Sequence, residues 1–283
     1  MPVHIFPLIS IASAAGRAAA RLCRLVAICF CLGTASVAHA GGDPGAAGAV
    51  TAELLPGWRT GPGRHLAGLR LRLAPGWKTY WRSAGSAGIS PQFDWRGSQG
   101  IADVETIWPS PGFFEGPAGL AVGYGGDVVL PLDLRIDGAS PVLRGKVDIG
   151  VCREICIPVR LKLEVPIPAQ GARDRAISDA MGRRILRSRV RAECGFRPAS
   201  AGLGLTASVS MAPLGPVEAV VFEVDDPTIW VTDAEVLRQG DTLRADASLI
   251  GQGGGPPAAV RRAGIRITVM GEGQAVELAG CAG

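Results

Sequence analysis

The stretch Gly150-Val151-Cys152-Arg153-Glu154-Ile155-Cys156-Ile157-Pro158 places two cysteines between two alternating runs. Apolar and polar residues alternate over residues 146–151 and again over residues 159–165. A period of two is typical of half-buried strands, so the sequence predicts a β-hairpin with a cysteine at each facing strand end. Facing strand ends suit the Cα separation that a disulfide needs. The spacing alone fits a reversible dithiol/disulfide and a static hairpin bridge equally well.

Short predicted strands separated by Gly and Pro turns continue on both sides of this hairpin. Before it they fall at residues 52–55, 67–73, 92–95, 104–108 and 128–136. After Cys194 strands resume and continue to the end of the chain, with little helical periodicity. Many short strands with such turns are typical of a β-sandwich. We therefore predict an all-β protein with a sandwich over residues 41–168 and a smaller β-rich domain over residues 194–283.

The first 40 residues predict an exported protein. Arg17, Arg21 and Arg24 precede a short apolar run over residues 25–32, and Ala38-His39-Ala40 follows. A basic start, an apolar core and a small-residue exit are typical of a signal peptide, here cleaved near Ala40. The apolar run is shorter than the ~20 residues that a membrane-spanning helix needs.

Charge and composition exclude several function classes. The predicted leader holds three of the 29 Lys and Arg residues and none of the 25 acidic ones, which leaves 26 basic against 25 acidic residues. This balance gives no electrostatic case for nucleic-acid binding. Only His65 remains to serve a histidine-dependent site, and a structural zinc site wants four ligands. We predict no metal and no cofactor, with copper bound through soft sulfur as the alternative.

Four cysteines follow the leader, and an even number in an exported protein predicts two disulfides with three possible connectivities. Local pairing joins Cys152 to Cys156 and leaves Cys194 with Cys281. The second bridge would close a loop of roughly 90 residues and contribute about 4–5 kcal/mol in the chain-entropy model. We interpret the Cys194–Cys281 pair as structural.

Two further segments stand out. Residues 109–117 contain three prolines and two glycines, which predicts an irregular loop, yet they carry the adjacent pair Phe113 and Phe114. Residues 169–193 have apolar positions at helical spacing among many arginines, which predicts a basic linker helix. A solvated linker is favoured over a helix lying on anionic lipid.

Several motifs together resemble the periplasmic N-terminal domain of the DsbD thiol:disulfide interchange family, and in particular its ScsB-like, stand-alone branch. The resemblance covers residues 50–168. It rests on Gly76-Trp77-Lys78-Thr79-Tyr80-Trp81-Arg82-Ser83, Phe93-Asp94-Trp95, Ile107-Trp108-Pro109, Val122-Gly123-Tyr124, Val128-Val129-Leu130-Pro131-Leu132 and Cys152-Arg153-Glu154-Ile155-Cys156-Ile157-Pro158.

The resemblance implies an immunoglobulin-like sandwich in the periplasm. It implies that Cys152 and Cys156 are the catalytic pair in a relay from a DsbD- or CcdA-like membrane thiol reductase to periplasmic thioredoxin-like proteins. For the exchange step itself we expect Cys152 to attack and Cys156 to resolve. Phe113 and Phe114 would match the aromatic pair of a loop that shields the disulfide. Tyr80 and Trp81 would match aromatic residues near it.

Two features of this chain differ from the family pattern. The cysteines are closer in sequence than the DsbD pair, and the sequence carries neither the membrane nor the thioredoxin-like domain. We therefore expect the electrons to come from a separate membrane protein. The alternative is a non-catalytic periplasmic binding or assembly module, possibly related to copper, whose Cys152–Cys156 bridge is only structural.

Overall fold

The computed structural model describes residues 48–116 and 119–282, so the predicted signal peptide lies outside the described residues. These residues form two β-rich domains and one eight-residue α-helix. No helix among them combines the length and the apolar composition that crossing a membrane requires. The predicted all-β fold is confirmed.

The first domain is a sandwich of two mostly antiparallel sheets. One sheet has the order β1-β2-β8-β5, and the other has the order β10-β9-β3-β7-β6 with β4 also paired to β9. The strands are β1 (Val50–Gly61), β2 (Arg64–Leu73), β3 (Lys78–Tyr80), β4 (Gln92–Asp94), β5 (Ile101–Thr106), β6 (Gly112–Gly116), β7 (Gly119–Gly125), β8 (Asp127–Ile136), β9 (Val142–Cys152) and β10 (Cys156–Pro166).

The alternating patterns predict which side chains fill this sandwich. On β10, Val159, Leu161 and Leu163 are buried, and the residues between them are exposed. The inner face of β9 contributes Val147 and Ile149 to the same core. Apolar burial between two sheets is the main source of stability in such a fold. The predicted hairpin is confirmed, because β9 and β10 pair along their whole length.

Residues 109–116 do not form the irregular loop that composition predicts for residues 109–117, and residue 117 lies outside the described residues. Gly112–Gly116 form β6, which lies at the edge of its sheet and pairs with β7 only. Pro109 and Pro111 precede the strand and therefore remove no hydrogen bond from it. An edge position also tolerates proline nearby, since one side of the strand has no partner to lose.

The predicted linker helix is shorter than expected. Helix α1 spans Arg175–Gly182, and the Asp174 carboxylate accepts a hydrogen bond from the Ile177 backbone N–H at its start. Beyond the helix the chain is extended, and the Ile185 N–H donates to the Trp108 carbonyl oxygen (3.1 Å). The helix also differs from the solvated linker that the sequence predicts. Ile177 and Ala180 are fully buried against the first sandwich.

The second domain also contains two sheets. One has the order β11-β19-β18-β14, and the other has the order β15-β17-β13-β12-β20 with β16 also paired to β17. The strands are β11 (Leu186–Arg187), β12 (Ala192–Pro198), β13 (Leu203–Ser210), β14 (Ala219–Val224), β15 (Trp230–Val231), β16 (Glu235–Gln239), β17 (Thr242–Ile250), β18 (Ile265–Gly271), β19 (Gln274–Leu278) and β20 (Cys281–Ala282).

The two domains share buried surface. Strand β14 alternates, so that Val220 and Phe222 belong to the core of the second domain. Ala219 and Val221 point the other way and join the core cluster of the first sandwich. Met270 on the neighbouring strand β18 does the same. The second domain therefore packs directly on the first through a face of small and medium-sized apolar residues.

Candidate functional site

The cysteine hairpin ends in an accessible disulfide. Cys152 is the last residue of β9 and Cys156 the first of β10, and the two are direct register partners with Cα atoms 4.1 Å apart in the disulfide. The turn between them is closed by the Arg153 N–H, which donates to the Ile155 carbonyl (3.2 Å). Cys152 is half-buried, Cys156 is exposed, and Ile155 is 69% exposed. The bridge therefore lies at the accessible end of the β9–β10 hairpin.

Tyr80 contacts both sulfur atoms. Its hydroxyl donates to Cys152 Sγ at 2.7 Å, and its oxygen lies 3.3 Å from Cys156 Sγ. Burial raises the pKa of the Tyr80 phenol above its usual value, so the hydroxyl stays protonated at neutral pH. A protonated hydroxyl is a weak partner for a disulfide sulfur and a much stronger one for a thiolate, because hydrogen bonds to charged groups are stronger.

Two glycines make the space that the Tyr80 ring occupies. A Cβ atom on Gly150 would come within 3.1 Å of Tyr80 Cε2, and one on Gly88 within 2.8 Å of Cδ1. Ile89 lies against Gly150 as well, since a Cβ on Gly150 would approach the Ile89 Cβ to 2.9 Å. Larger residues at either glycine would push the ring away from the sulfur atoms.

The first sandwich matches a known domain family. Residues 51–167 match the family model described as the N-terminal part of the thiol:disulfide interchange protein DsbD. The first sandwich is a DsbD-type domain. It is thus a domain of the thiol:disulfide interchange kind, and its accessible disulfide lies within the matched residues.

A solved structure extends the likeness to the second domain. The N-terminal periplasmic domain of ScsB from Proteus mirabilis matches with a TM-score of 0.61 and 22% sequence identity, over 87% of this chain and 94% of that one. At this identity the match shows a shared fold. No curated protein sequence matches this chain.

Of the four aromatic residues predicted to shield the disulfide, two lie on its face of the DsbD-type domain. Lys78 is the direct neighbour of Cys152 on β3, and Tyr80 follows two residues later on the same face. Pairing across β7 places Phe114 on that face as well. The Lys78 ammonium lies 4.1 Å from the centre of the Phe114 ring, at cation–π distance. A continuous surface thus runs from Phe114 through Lys78 to the cysteines.

The other two aromatic residues lie on the opposite face. Trp81 follows Tyr80 directly, so the pleat turns its side chain inward, where it is fully buried. Phe113 likewise precedes Phe114 and packs against the core cluster. Trp81 and Phe113 therefore contribute to packing in this structure and do not contact the bridge. All four residues are aromatic, so the strand register, not the residue type, decides that Tyr80 and Phe114 lie on the face of the disulfide while Trp81 and Phe113 do not.

Sequence reasoning missed several residues around the bridge. Lys78, Gly88 and Gly150 border the Tyr80 side chain or Cys152, and Ile89 lies against Gly150. Lys78 and the next residue, Thr79, point to opposite faces of β3. Assigning the register between β3 and β9 would therefore have placed Lys78 beside Cys152. Gly88 and Ile89 come from an excursion of the chain between β3 and β4, whose path no local pattern encodes.

His65 lies elsewhere. It is on β2 in the other sheet and is 2% exposed. Its Nε2 lies 2.8 Å from the Pro56 carbonyl oxygen. Burial lowers the pKa of His65, an effect that the bond to Pro56 partly opposes, so the ring is neutral at pH 7. The position of His65 supports no Cys–His pair with the hairpin.

The second cysteine pair has different surroundings. A disulfide joins Cys194 on β12 to Cys281 on β20, across 87 residues of sequence and two parallel strands. Cys281 is 7% exposed and belongs to the core of the second domain. The Arg262 guanidinium donates to the Cys194 carbonyl oxygen (2.7 Å). This bridge fastens the last strand of the chain to the first strand of its sheet.

Proposed function

We propose that this protein is a periplasmic thiol:disulfide interchange protein. It relays reducing equivalents from a membrane thiol reductase to thioredoxin-like proteins through Cys152 and Cys156. The observation that carries the proposal is the accessible Cys152–Cys156 bridge in a DsbD-type domain, with the Tyr80 hydroxyl on both sulfurs.

Exposure favours Cys156 as the sulfur that exchanges with partners. A thiolate must reach the disulfide along the S–S axis, and access decides which sulfur it attacks. Cys156 is exposed, whereas Cys152 is half-buried under Tyr80. The proposal therefore reverses the roles expected from the sequence, and Cys152 becomes the resolving cysteine.

Loading of the protein is a two-electron transfer. A donor thiolate attacks Cys156 Sγ, a bond forms between the two sulfurs, and the Cys152–Cys156 bond breaks with its electron pair on Cys152 Sγ. The second donor thiol, as thiolate, then attacks the mixed disulfide and displaces Cys156 as a thiolate. The donor leaves as a disulfide, and the cysteine pair has gained two electrons and two protons.

Delivery runs the same steps in reverse. The Cys156 thiolate attacks a disulfide on a thioredoxin-like partner, and one partner sulfur departs with the electron pair and takes up a proton. Cys152, as thiolate, then attacks Cys156 Sγ in the mixed disulfide and releases the partner as a dithiol. The Cys152–Cys156 bridge is restored, and no cofactor is needed.

Tyr80 has a defined part in both directions. When the bridge opens, negative charge develops on Cys152 Sγ, 2.7 Å from the Tyr80 hydroxyl in the closed state. A hydrogen bond that strengthens as charge develops stabilises the transition state more than the ground state. Tyr80 therefore accelerates opening of the bridge by stabilising the departing thiolate.

The relay can be tested with two acceptors of the same chemical type. The mature protein is reduced with dithiothreitol, freed of reductant, and mixed either with oxidised thioredoxin or with glutathione disulfide. Thiols are trapped with time and counted by mass spectrometry. The proposal predicts faster transfer to the thioredoxin-fold protein, because docking places the two sulfurs in line. Equal rates, or no oxidation of Cys152 and Cys156 by either acceptor, would contradict it.

A further inference from the structure

The segment between β3 and β4 connects the disulfide to the second domain. Strands β3 and β4 pair with the same strand, β9, at separate places. The chain between them, residues 81–91, is held beside β7 by three backbone hydrogen bonds and passes over Gly150. Gly88 of this excursion lies against the Tyr80 ring, and Ile89 lies against Gly150. The position of the excursion therefore helps to hold the Tyr80 ring beside the two sulfur atoms.

The second domain holds the excursion through Asp233. The Asp233 carboxylate accepts hydrogen bonds from the Ser86 N–H (3.0 Å), from the Ser86 hydroxyl and from the Leu120 N–H (2.8 Å). Gly119 leaves the room for this contact, since a Cβ there would lie 2.8 Å from Asp233 Oδ2 and closer still to Ser86 Oγ. One carboxylate thus ties the excursion and β7 to the loop after β15.

An ion pair fixes the start of the same excursion. The Arg82 guanidinium forms three hydrogen bonds to the Glu223 carboxylate (2.7–3.2 Å) and one to Glu277 (2.6 Å). Both glutamates belong to the second domain, and the pairs are largely shielded from solvent. Bidentate, shielded guanidinium–carboxylate pairs fix geometry better than exposed ones. The excursion is therefore anchored to the second domain at two points.

We infer that Asp233 is a positioning residue for the proposed exchange reaction: through Ser86 and the excursion it holds Tyr80 against Cys152 and Cys156. This inference rests on the proposed function. It also gives the second domain a role, because that domain then sets the reactivity of a disulfide that lies entirely in the first.

The test compares two aspartates with the same local chemistry. Asp226 also accepts a backbone N–H (2.9 Å) and a hydroxyl (2.7 Å), both from Thr228, and among the described residues it makes no hydrogen bond to the first sandwich. Asp233→Asn and Asp226→Asn are made in the full mature chain. The rate at which dithiothreitol reduces Cys152–Cys156 is followed by thiol trapping and mass spectrometry, with the melting temperature as a check of folding.

We expect Asp233→Asn to slow reduction about threefold, at the low end of what one hydrogen bond contributes. Asp226→Asn should leave the rate unchanged. Combined with Tyr80→Phe, Asp233→Asn should have no further effect, because the hydroxyl that it positions is gone. Ser86→Ala, which removes one of the three hydrogen bonds, should slow reduction by a smaller factor in the same direction.

Two results would overturn the inference. One is an Asp233→Asn rate equal to that of the unchanged protein while Tyr80→Phe is slow. The other is an equal slowing by Asp233→Asn with and without the Tyr80 hydroxyl, which would mean a general structural effect. Failure of the proposed function has a separate signature: the unchanged protein would then resist reduction at Cys152–Cys156 as firmly as at Cys194–Cys281, and the inference would fall with it.

Discussion

The two disulfides in the described part of the chain have contrasting surroundings. Cys152–Cys156 bridges four positions of sequence at an exposed hairpin end, and a tyrosine hydroxyl touches both sulfurs. Cys194–Cys281 bridges 87 positions, joins two strands of one sheet and has one cysteine in a hydrophobic core. The first bridge constrains little of the chain and is open to attack. The second constrains most of its domain, with Cys281 buried and only Cys194 partly exposed.

This contrast separates reactivity from stabilisation. The entropy that a disulfide removes from the unfolded chain grows with the loop it closes. Its exchange rate depends on access and on how well the departing thiolate is stabilised. The structure therefore places the features for exchange at one pair and those for stability at the other.

The largest expected difference is in thiol transfer. Cys152→Ala/Cys156→Ala should abolish transfer to oxidised thioredoxin, since no dithiol remains at the hairpin. Cys194→Ala/Cys281→Ala should retain it when assayed below its melting temperature. Thiol trapping and mass spectrometry give both rates. Transfer that survives loss of the hairpin cysteines would assign the chemistry to the wrong pair.

For stability, the Cys194–Cys281 pair should matter more than the Cys152–Cys156 pair. Losing Cys194–Cys281 is expected to lower the free energy of unfolding by about 4–5 kcal/mol, and losing Cys152–Cys156 by only about 2 kcal/mol, from the loop lengths that they close. Denaturant unfolding of the two double-alanine variants measures both values. Equal losses would show that the hairpin bridge has a structural importance that its short loop does not explain.

Removing the Tyr80 hydroxyl should affect only the hairpin pair. Tyr80→Phe is expected to slow reduction of Cys152–Cys156 about tenfold, because hydrogen bonds to charged groups contribute about 1.5–3 kcal/mol. Tyr124→Phe is the matched control: that buried hydroxyl donates to the Pro109 carbonyl oxygen (2.9 Å) and should affect stability without slowing reduction. Equal slowing by both variants would remove any special role of Tyr80.

The smallest expected effect separates the two adjacent phenylalanines. Phe114→Ala opens the surface beside Lys78 and should speed oxidation of the reduced pair by hydrogen peroxide about two- to threefold, as exposure increases. Phe113→Ala should mainly lower the melting temperature, because Phe113 packs on the core. Unchanged oxidation of Phe114→Ala would exclude a shielding role for that ring.

The hairpin was predictable from sequence because its signal is local. Alternation on both sides of the cysteines sets the strands, and pairing of β9 with β10 needs only a short turn. Which aromatic residues lie beside the bridge was harder to predict, since Tyr80 and Trp81 are adjacent and both aromatic. Their opposite directions follow from the register of β3 on β9, which is a long-range property of the fold.

Helix α1 and β6 show why local patterns fail elsewhere. Helical spacing continues past Gly182, but Leu186 and Arg187 pair with β19 and the chain becomes extended. Prolines predict a break at residues 109–117, but Pro109 and Pro111 stand before β6, which lies at a sheet edge. In both cases a tertiary contact decided the conformation. The contact of Asp233 with Ser86 is equally non-local, since 147 residues separate them.

The most direct test is the reduction potential of each pair in the same purified mature protein. The protein is equilibrated in thiol redox buffers, free thiols are trapped, and the two pairs are resolved by mass spectrometry. Cys152–Cys156 should titrate above about −300 mV and Cys194–Cys281 below it, as expected for an exchanging and a structural bridge. If both pairs lie below that value, Cys152–Cys156 is a structural bridge, and the protein is a binding or assembly module instead of an electron relay.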